Sequence, residues 1–344
     1  MKSSRLMVCW LLLFTLLLLR SAIAAETLKQ LVEGAKKEPE LTFIAGAQTF
    51  GGLKTLNLLE AAFNRRFGLN MKIRFAAGPE MNSMAARTIT ELKSGAKPSS
   101  DIYHGSQSHV ALLHKEKALE QVNYAALFPW ITKPMEIFPN EGVLIFTSLR
   151  GIIYNSKLIA KDKAPKSYED LVDPKLSPTW AGKMAIPPYV SWLVELSMIW
   201  SEDKVKDFTK KLVALSAGRL RYSEEERVVS GEFPIAITYV KYAYIHGSKG
   251  APVDYVRDPK LIGDASYITL ANKAPHPNAG KAFIDYFLDN ESMNMMSKLG
   301  EFVNRKGILP PLPGIDKIGF VEMNDLSTKE FAEKKNEYEK IFLR

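Results

Sequence analysis

Residues 41–67, LTFIAGAQTFGGLKTLNLLEAAFNRRF, carry a strand–loop–helix unit whose repetition sets the fold. Leu41 to Ile44 is a short apolar run that reads as a buried strand. Ala45 to Gly52 is a glycine-rich loop, and Leu53, Leu56, Leu59, Phe63 and Phe67 then recur at the helical period. Upstream, Leu28, Leu31, Val32 and Ala35 stand at helical spacing. Downstream, Met71 to Ala76 reads as a strand, Met81 to Leu92 as a helix and Asp101 to His104 as another strand. Such alternation predicts an α/β domain with a largely parallel sheet covered by helices on both faces.

Val143 to Ser148 and Gly151 to Tyr154 are back-to-back strand-like runs with no helix between them. A second α/β set follows: a strand at Lys183–Ile186, helices at Ser191–Trp200 and Lys204–Leu215, and a strand at Ile235–Ile237. A short helix around Tyr242, strands at Val253–Val256 and Ala265–Ala271, and helices at Asn278–Leu288 and Ser292–Leu299 complete it. In the tail, Ser327 and Glu330 have capping-box spacing, with Phe331, Tyr338 and Phe342 as an apolar stripe. Two α/β lobes with no obvious linker suggest a clam-shell. One lobe is expected from 25–147 plus 258–300, the other from 148–257 plus 301–344, with crossings near 144–148 and 252–258. Ligands in such sheets sit beyond the carboxyl ends of the strands. That singles out the loops at Ala45, Gly105, Pro187 and Tyr239.

The N-terminus decides location. Lys2 and Arg5 precede the apolar run Met7 to Leu19, and Ala22-Ile23-Ala24 offers a small-x-small cleavage site. This is the layout of a secretory signal peptide. A membrane span needs about 20 apolar residues, and Arg20 cuts the run short. Cleavage after Ala24 removes three basic residues and no acid, so the excess positive charge falls from +8 to +5. That excess is spread along the chain rather than gathered into a phosphate-tracking block, so nucleic acid is not an expected partner. The only cysteine, Cys9, lies in the leader. The mature chain therefore has no disulfide, thiolate nucleophile or cysteine metal site.

Five stretches carry a family resemblance: LVEGAKKEPELTFIAG at 31–46, LRGIIYNSKLI at 149–159, SYEDLVDPKLSPTWAGKMAIPP at 167–188, VVSGEFPIAITYVKYAY at 228–244 and KAPHPNAGKAFIDYFL at 273–288. In order and spacing they resemble periplasmic binding proteins of the ferric-iron ABC importer family, across nearly all of the mature chain. The resemblance implies a type II two-lobed fold with a hinge, a captured solute and a permease in the inner membrane. Iron-binding members hold the metal with a histidine, a carboxylate and two adjacent tyrosines, and seat an anion on a small-residue helix start. Here those positions fall on Gln48 or Thr49, on the region of Gly105, on Lys241 and Tyr242, and on Pro188 to Trp192. Ferric ion wants anionic oxygens, and the Lys241 ammonium would repel it.

A small organic solute with an anionic group is therefore expected, with no cofactor and no metal, bound by a monomer. Its candidate contacts are Gln48, Thr49, Ser106, Gln107, Arg150, Tyr189, Ser191, Trp192, Arg221, Tyr239 and Tyr242. Arg150 reads as a guanidinium fork for a carboxylate or phosphonate, or else as a salt bridge across the hinge. Arg221 reads as an anion clamp or a solvated arginine. Tyr239 and Tyr242 read as ligand groups or as packing aromatics, and Tyr189 and Trp192 as a pocket wall or as core. His104, His109 and His114, five apart, would point about 140° apart on a helix and not converge on a metal. His246 and His276 show no nearby partner type. A ferric-binding protein, a solute-loaded partner of a sensor and an exported enzyme are the alternatives. The enzyme lacks a GxSxG elbow, an HExxH motif and a cysteine nucleophile.

Overall fold

The computed structural model describes residues 27–46, 49–78, 81–128, 130–132, 135–222, 224–257, 260–317, 319–322 and 328–343. The expected signal peptide at 1–24, the candidate contact Gln48 and the capping residue Ser327 lie outside the described residues. The strands are β1 (Glu40–Gly46), β2 (Lys72–Gly78), β3 (Ile102–Ser106), β4 (Glu136–Ile137), β5 (Gly142–Asn155), β6 (Met184–Ile186), β7 (Ser216–Arg219), β8 (Ile235–Tyr239), β9 (Val253–Tyr255), β10 (Lys260–Leu270), β11 (Phe302–Val303) and β12 (Gly319–Glu322). The longer helices are α1 (Leu28–Ala35), α2 (Leu53–Phe67), α3 (Met81–Lys93), α4 (Gln107–Lys115), α5 (Ser191–Leu196), α6 (Glu202–Leu215), α7 (Lys241–Gly247), α8 (Pro277–Phe287), α9 (Asn290–Lys298) and α10 (Thr328–Phe342).

The main sheet runs β2-β1-β3-β10-β5-β8-β6-β7. Its two ends are parallel, as the strand–helix alternation predicts: β1 with β2 and β3, β6 with β7 and β8. Its centre is not. β5 and β10 are antiparallel to each other, and each is antiparallel to its outer neighbour. The sheet is thus mixed rather than largely parallel. The chain leaves the first lobe along β5 and comes back along β10, and an outgoing strand beside a returning one must run antiparallel. The two runs read at 143–148 and 151–154 are one strand whose 14 residues are all buried. A Cβ on Gly151 would stand 2.8 Å from Val240 Cγ1, so the glycine that interrupts the sequence pattern admits close packing.

Three apolar clusters follow from this path. One gathers residues on either side of β1 to β5, with β10 and α8, around Phe43, Phe50, Phe63, Phe283 and Phe287. A second lies under α5 and α6 and takes Tyr338 and Phe342 from the tail helix α10. The third surrounds β8, β9 and the segment at Leu312 and Ile315. Each fully buried apolar side chain contributes roughly 1.5–3 kcal/mol. The edge-on rings of Phe43, Phe63 and Phe283 add about 0.5–1.5 kcal/mol per pair.

Local chemistry fixes the ends. Thr27 and Gln30 form a capping box on α1, and Gly68 ends α2 in the left-handed conformation. The loop after β1 turns through Phe50, Gly51 and Gly52 at φ of 60°, 73° and 77°. Gly51 also packs where a Cβ would meet Leu299 at 2.9 Å, so a side chain there is refused twice. Asp101, fully buried, accepts from the Thr42 N–H at 2.8 Å and the His276 N–H at 2.6 Å. Its Oδ2 lies 3.0 Å from His276 Nδ1. His276 is therefore a tie between strands and α8, not a residue without a partner.

Candidate functional site

The carboxyl ends of β8, β6 and β7 and the middle of β5 deliver one cluster. Tyr239 ends β8, Tyr242 lies on the first turn of α7, Tyr222 follows β7 and Tyr189 precedes α5. Their rings form a run: Tyr189 to Tyr222 at 5.4 Å, Tyr222 to Tyr239 at 4.4 Å, and Tyr239 to Tyr242 at 6.4 Å between centroids. Tyr189, at the outer end, is 39% exposed. The tyrosine wall is built from three of the sequence candidates plus Tyr222.

Beneath the rings sits Arg150, opposite Tyr239 in the β5–β8 ladder and 1% exposed. Its Nη1 donates to Glu195 Oε2 at 2.7 Å. Its Nη2 donates to Tyr222 Oη at 2.9 Å, to Asp264 Oδ2 at 3.3 Å and to Tyr239 Oη at 3.5 Å. Tyr239 Oη donates to Asp264 Oδ2 at 2.5 Å. The guanidinium stands 5.2 Å from the Tyr239 ring centre and 5.9 Å from that of Tyr222. Burial works against this charge, but Tyr222, Glu195, Tyr239 and Asp264 more than offset it and hold the guanidinium well above its ordinary pKa. Burial pushes the Glu195 carboxyl up to about 8, against the pull of Arg150. It pushes the Tyr222 phenol up to about 12 and the Tyr239 phenol well above its usual value, with Asp264 adding to both.

Beside this cluster, Lys241 Nζ pairs with Glu301 Oε1 at 2.5 Å, and Ser148 donates to Glu301 Oε2 at 2.6 Å. The ammonium lies 5.4 Å from the ring centres of both Tyr239 and Tyr242. Across from it, the β3–α4 junction of the first lobe supplies small polar groups. Ser106 Oγ meets His109 Nδ1 at 2.7 Å and Ser108 Oγ at 3.2 Å. Gln107 Oε1 is buried without a partner among the described residues. The register sets Ser266 of β10 against Ser106 of β3, which brings Asp264 close to this loop. Burial lowers His109 to about 4, with Asp264 pulling the other way, and lowers His104 to about 3. His104 is on a strand and packs against Phe50 and Phe146, with both ring nitrogens unpartnered. His114 instead pairs with Glu141 at 2.7 Å.

Two candidates are placed away from the wall. Trp192 is fully buried between Tyr168 and Phe208 and belongs to the second-lobe core, because its position in α5 faces α6. Arg221 is exposed, and its backbone N–H donates to Glu224 Oε2 at 3.0 Å. Arg150 is in the cluster but as a buried ion pair, its terminal nitrogens already committed. Thr49 and Ser191 are half-buried at the starts of the β1 loop and α5. Sequence reasoning passed over Glu195, Asp264 and Glu301, and weighed His109 only as a metal ligand. A lone carboxylate in an apolar stretch was their signal: SWLVELSMIW for Glu195 and KLIGDASYITL for Asp264.

Residues 59–325 match the family described as bacterial extracellular solute-binding protein. No curated relative matches the chain by sequence. Among solved structures, the periplasmic binding protein P5PA is similar at 20% identity and a TM-score of 0.69, over 88% of this chain and 98% of that one. Iron-bound HitA from Pseudomonas aeruginosa gives 20% and 0.67, over 89% and 98%. AfuA from Actinobacillus pleuropneumoniae, with fructose-6-phosphate bound, gives 17% and 0.71, over 89% and 99%. At such identities the likeness is one of fold: the two-lobed type II periplasmic binding protein. The family match spans well over half of the sequence, and the chain belongs to the bacterial extracellular solute-binding protein family.

Proposed function

We propose that the chain is the periplasmic component of an ABC importer, capturing a small organic solute between its lobes as a monomer and delivering it to an inner-membrane permease. Export would proceed by cleavage after Ala24, and the lobes would divide as 25–147 plus 258–300 and 148–257 plus 301–344. The observation that carries this reading is the run of four tyrosines gathered at Arg150, whose partner Asp264 also acts electrostatically on His109 beside Ser106. A solute that touches both faces only when the lobes shut would shift the population toward the closed form. HitA is described as iron-bound, but the chemistry here favours an organic cargo. The phenols of Tyr222 and Tyr239 are held protonated by burial, Tyr239 already donates to Asp264, and Lys241 sets an ammonium beside Tyr242. Nothing in the site assigns a covalent step to any residue.

The test is calorimetric titration of the mature protein against a library of small organic solutes, with ferric citrate included. Tyr239→Ala and Tyr222→Ala should each weaken the best solute by roughly ten- to a hundredfold, the size of a lost pair of ring contacts and a hydrogen bond. Undiminished affinity in both variants would remove the tyrosine wall from the site, and a tyrosinate absorption band on adding iron would overturn the organic cargo.

A further inference from the structure

We infer that the cleft selects a solute with no net charge, a ring-bearing molecule with hydroxyl or amide groups, because Glu195 and Asp264 withhold Arg150 from anions. This rests on the solute-binding reading above and departs from the anionic solute expected from the sequence. An anion site needs a guanidinium with free donors and uncompensated charge. In Arg150 one donor, the buried Nε, has no partner among the described residues, but the charge is compensated. Both terminal nitrogens are engaged, the side chain is 1% exposed, and carboxylates stand at 2.7 and 3.3 Å. Whether Glu195 holds its proton or loses it, the group of Arg150, Glu195 and Asp264 sums to zero or to one negative charge. The neighbouring cation, Lys241, is cancelled by Glu301 at 2.5 Å.

A cationic solute is disfavoured from the other side. Aromatic faces attract cations, but the Tyr239 ring already has the Arg150 guanidinium at 5.2 Å and the Lys241 ammonium at 5.4 Å from its centre. The places over this ring where a cationic solute would sit are thus already taken. Gln107 Oε1 and the ring nitrogens of His104 are neutral atoms buried without partners among the described residues, whereas the unpartnered Arg150 Nε and Glu195 Oε1 belong to the compensated cluster. Stacked tyrosines suit a flat or cyclic body, and uncharged donors and acceptors suit its substituents.

The experiment uses the mature wild-type chain with inorganic phosphate and citrate as anions, putrescine as a cation, and uridine and myo-inositol as neutral rings. Thermal shift and calorimetry should show saturable binding confined to the neutral set. Replacing both carboxylates, Glu195→Gln with Asp264→Asn, leaves Arg150 with one excess positive charge whichever state Glu195 holds, and this double variant should gain phosphate binding at least about tenfold tighter than wild type. Should it fail to fold by circular dichroism, Asp264→Asn alone, which leaves the same excess beside a protonated Glu195, and the wild-type titrations still decide. Phosphate or citrate binding to wild type, abolished by Arg150→Ala, would overturn the inference. So would a folded double variant that gains no phosphate binding. If no probe binds wild type while the double variant does gain phosphate, the charge assignment stands and the solute-binding reading of this cleft falls.

Discussion

The two faces of the cleft keep ionisable groups out of water by opposite means. At the tyrosine run, Arg150, Glu195 and Asp264, with Lys241 and Glu301 beside them, are packed as partners within hydrogen-bonding range. At the β3–α4 junction, His104 is buried and His109 half-buried, neither bonded to a carboxylate among the described residues, and desolvation holds them neutral, lowered to about 3 and about 4. Desolvation penalises a charge in either place. Pairing keeps the charge and makes each partner depend on the other, whereas neutralising discards it and makes the site depend on pH. The contrast predicts unequal mutational costs and opposite pH responses.

The largest effect should come from breaking the paired side. Arg150→Ala leaves Glu195 and Asp264 uncompensated and should destabilise the protein by about 3–5 kcal/mol in urea titrations at pH 7. His104→Leu, which removes a neutral ring without partners, should cost far less. If the two losses were equal, the ion pairs would not hold the second-lobe floor.

Acid should attack the other face. The folded-state pKa values of His104 and His109 lie below their ordinary 6.5. Their contribution to stability is therefore whole above pH 6.5 and lost as pH falls toward 4 and then 3. Where both take up protons on unfolding, the slope should approach about 2.7 kcal/mol per pH unit, one proton each. In a His104→Leu, His109→Gln double variant that acid slope should flatten. Chemical denaturation between pH 7 and pH 4 would read it, and an unchanged slope would mean the rings are not kept neutral by the fold.

Third in size is the ion pair between Lys241 and Glu301. Lys241→Met removes the partner of Glu301, whose carboxylate is then left with the Ser148 hydroxyl. A charge-assisted bond of this kind is worth about 1.5–3 kcal/mol, and the melting temperature should fall accordingly. A double variant with Glu301→Gln should recover part of the loss, since it removes the stranded charge.

How far the sequence reached follows the same division. The outer strands and helices were legible because burial there acts through period: Leu53, Leu56, Leu59 and Phe63 mark α2, and Tyr338 and Phe342 mark α10. The centre was less legible. Gly151 and the charged Arg150 broke the apolar pattern of β5, and Lys260 to Asp264 hid the first half of β10, so two hinge strands looked like shorter ones. The tyrosine wall was partly legible, since Tyr189, Tyr239 and Tyr242 sit at strand ends where ligands gather. Their common floor was not. Whether Arg150 meets a solute or a carboxylate depends on Glu195 and Asp264, 45 and 114 residues away in the chain. Spacing carries no information about that encounter.

The smallest effect concerns Glu195 and decides which tendency rules the paired side. Its folded-state carboxyl is pushed up to about 8 from 4.5, so the folded protein holds a proton that the unfolded chain has released. The associated stability is whole below pH 4.5 and is lost as pH rises through 8, the reverse of the histidines. Glu195→Gln cannot ionise and should lack this loss. Relative to wild type it should gain stability between pH 5 and pH 8, by at most about 1.4 kcal/mol per pH unit. Asp285, pushed up to about 7 by burial in α8, titrates in the same window in both proteins and cancels from the difference. Urea titrations at pH 5, 6.5 and 8 would measure it. Should the variant instead lose ground as pH rises, attraction to Arg150 outweighs burial and the floor is a fully ionised cluster with one excess negative charge. Either sign leaves the guanidinium neutralised; only the first makes the two faces of the cleft respond oppositely to pH.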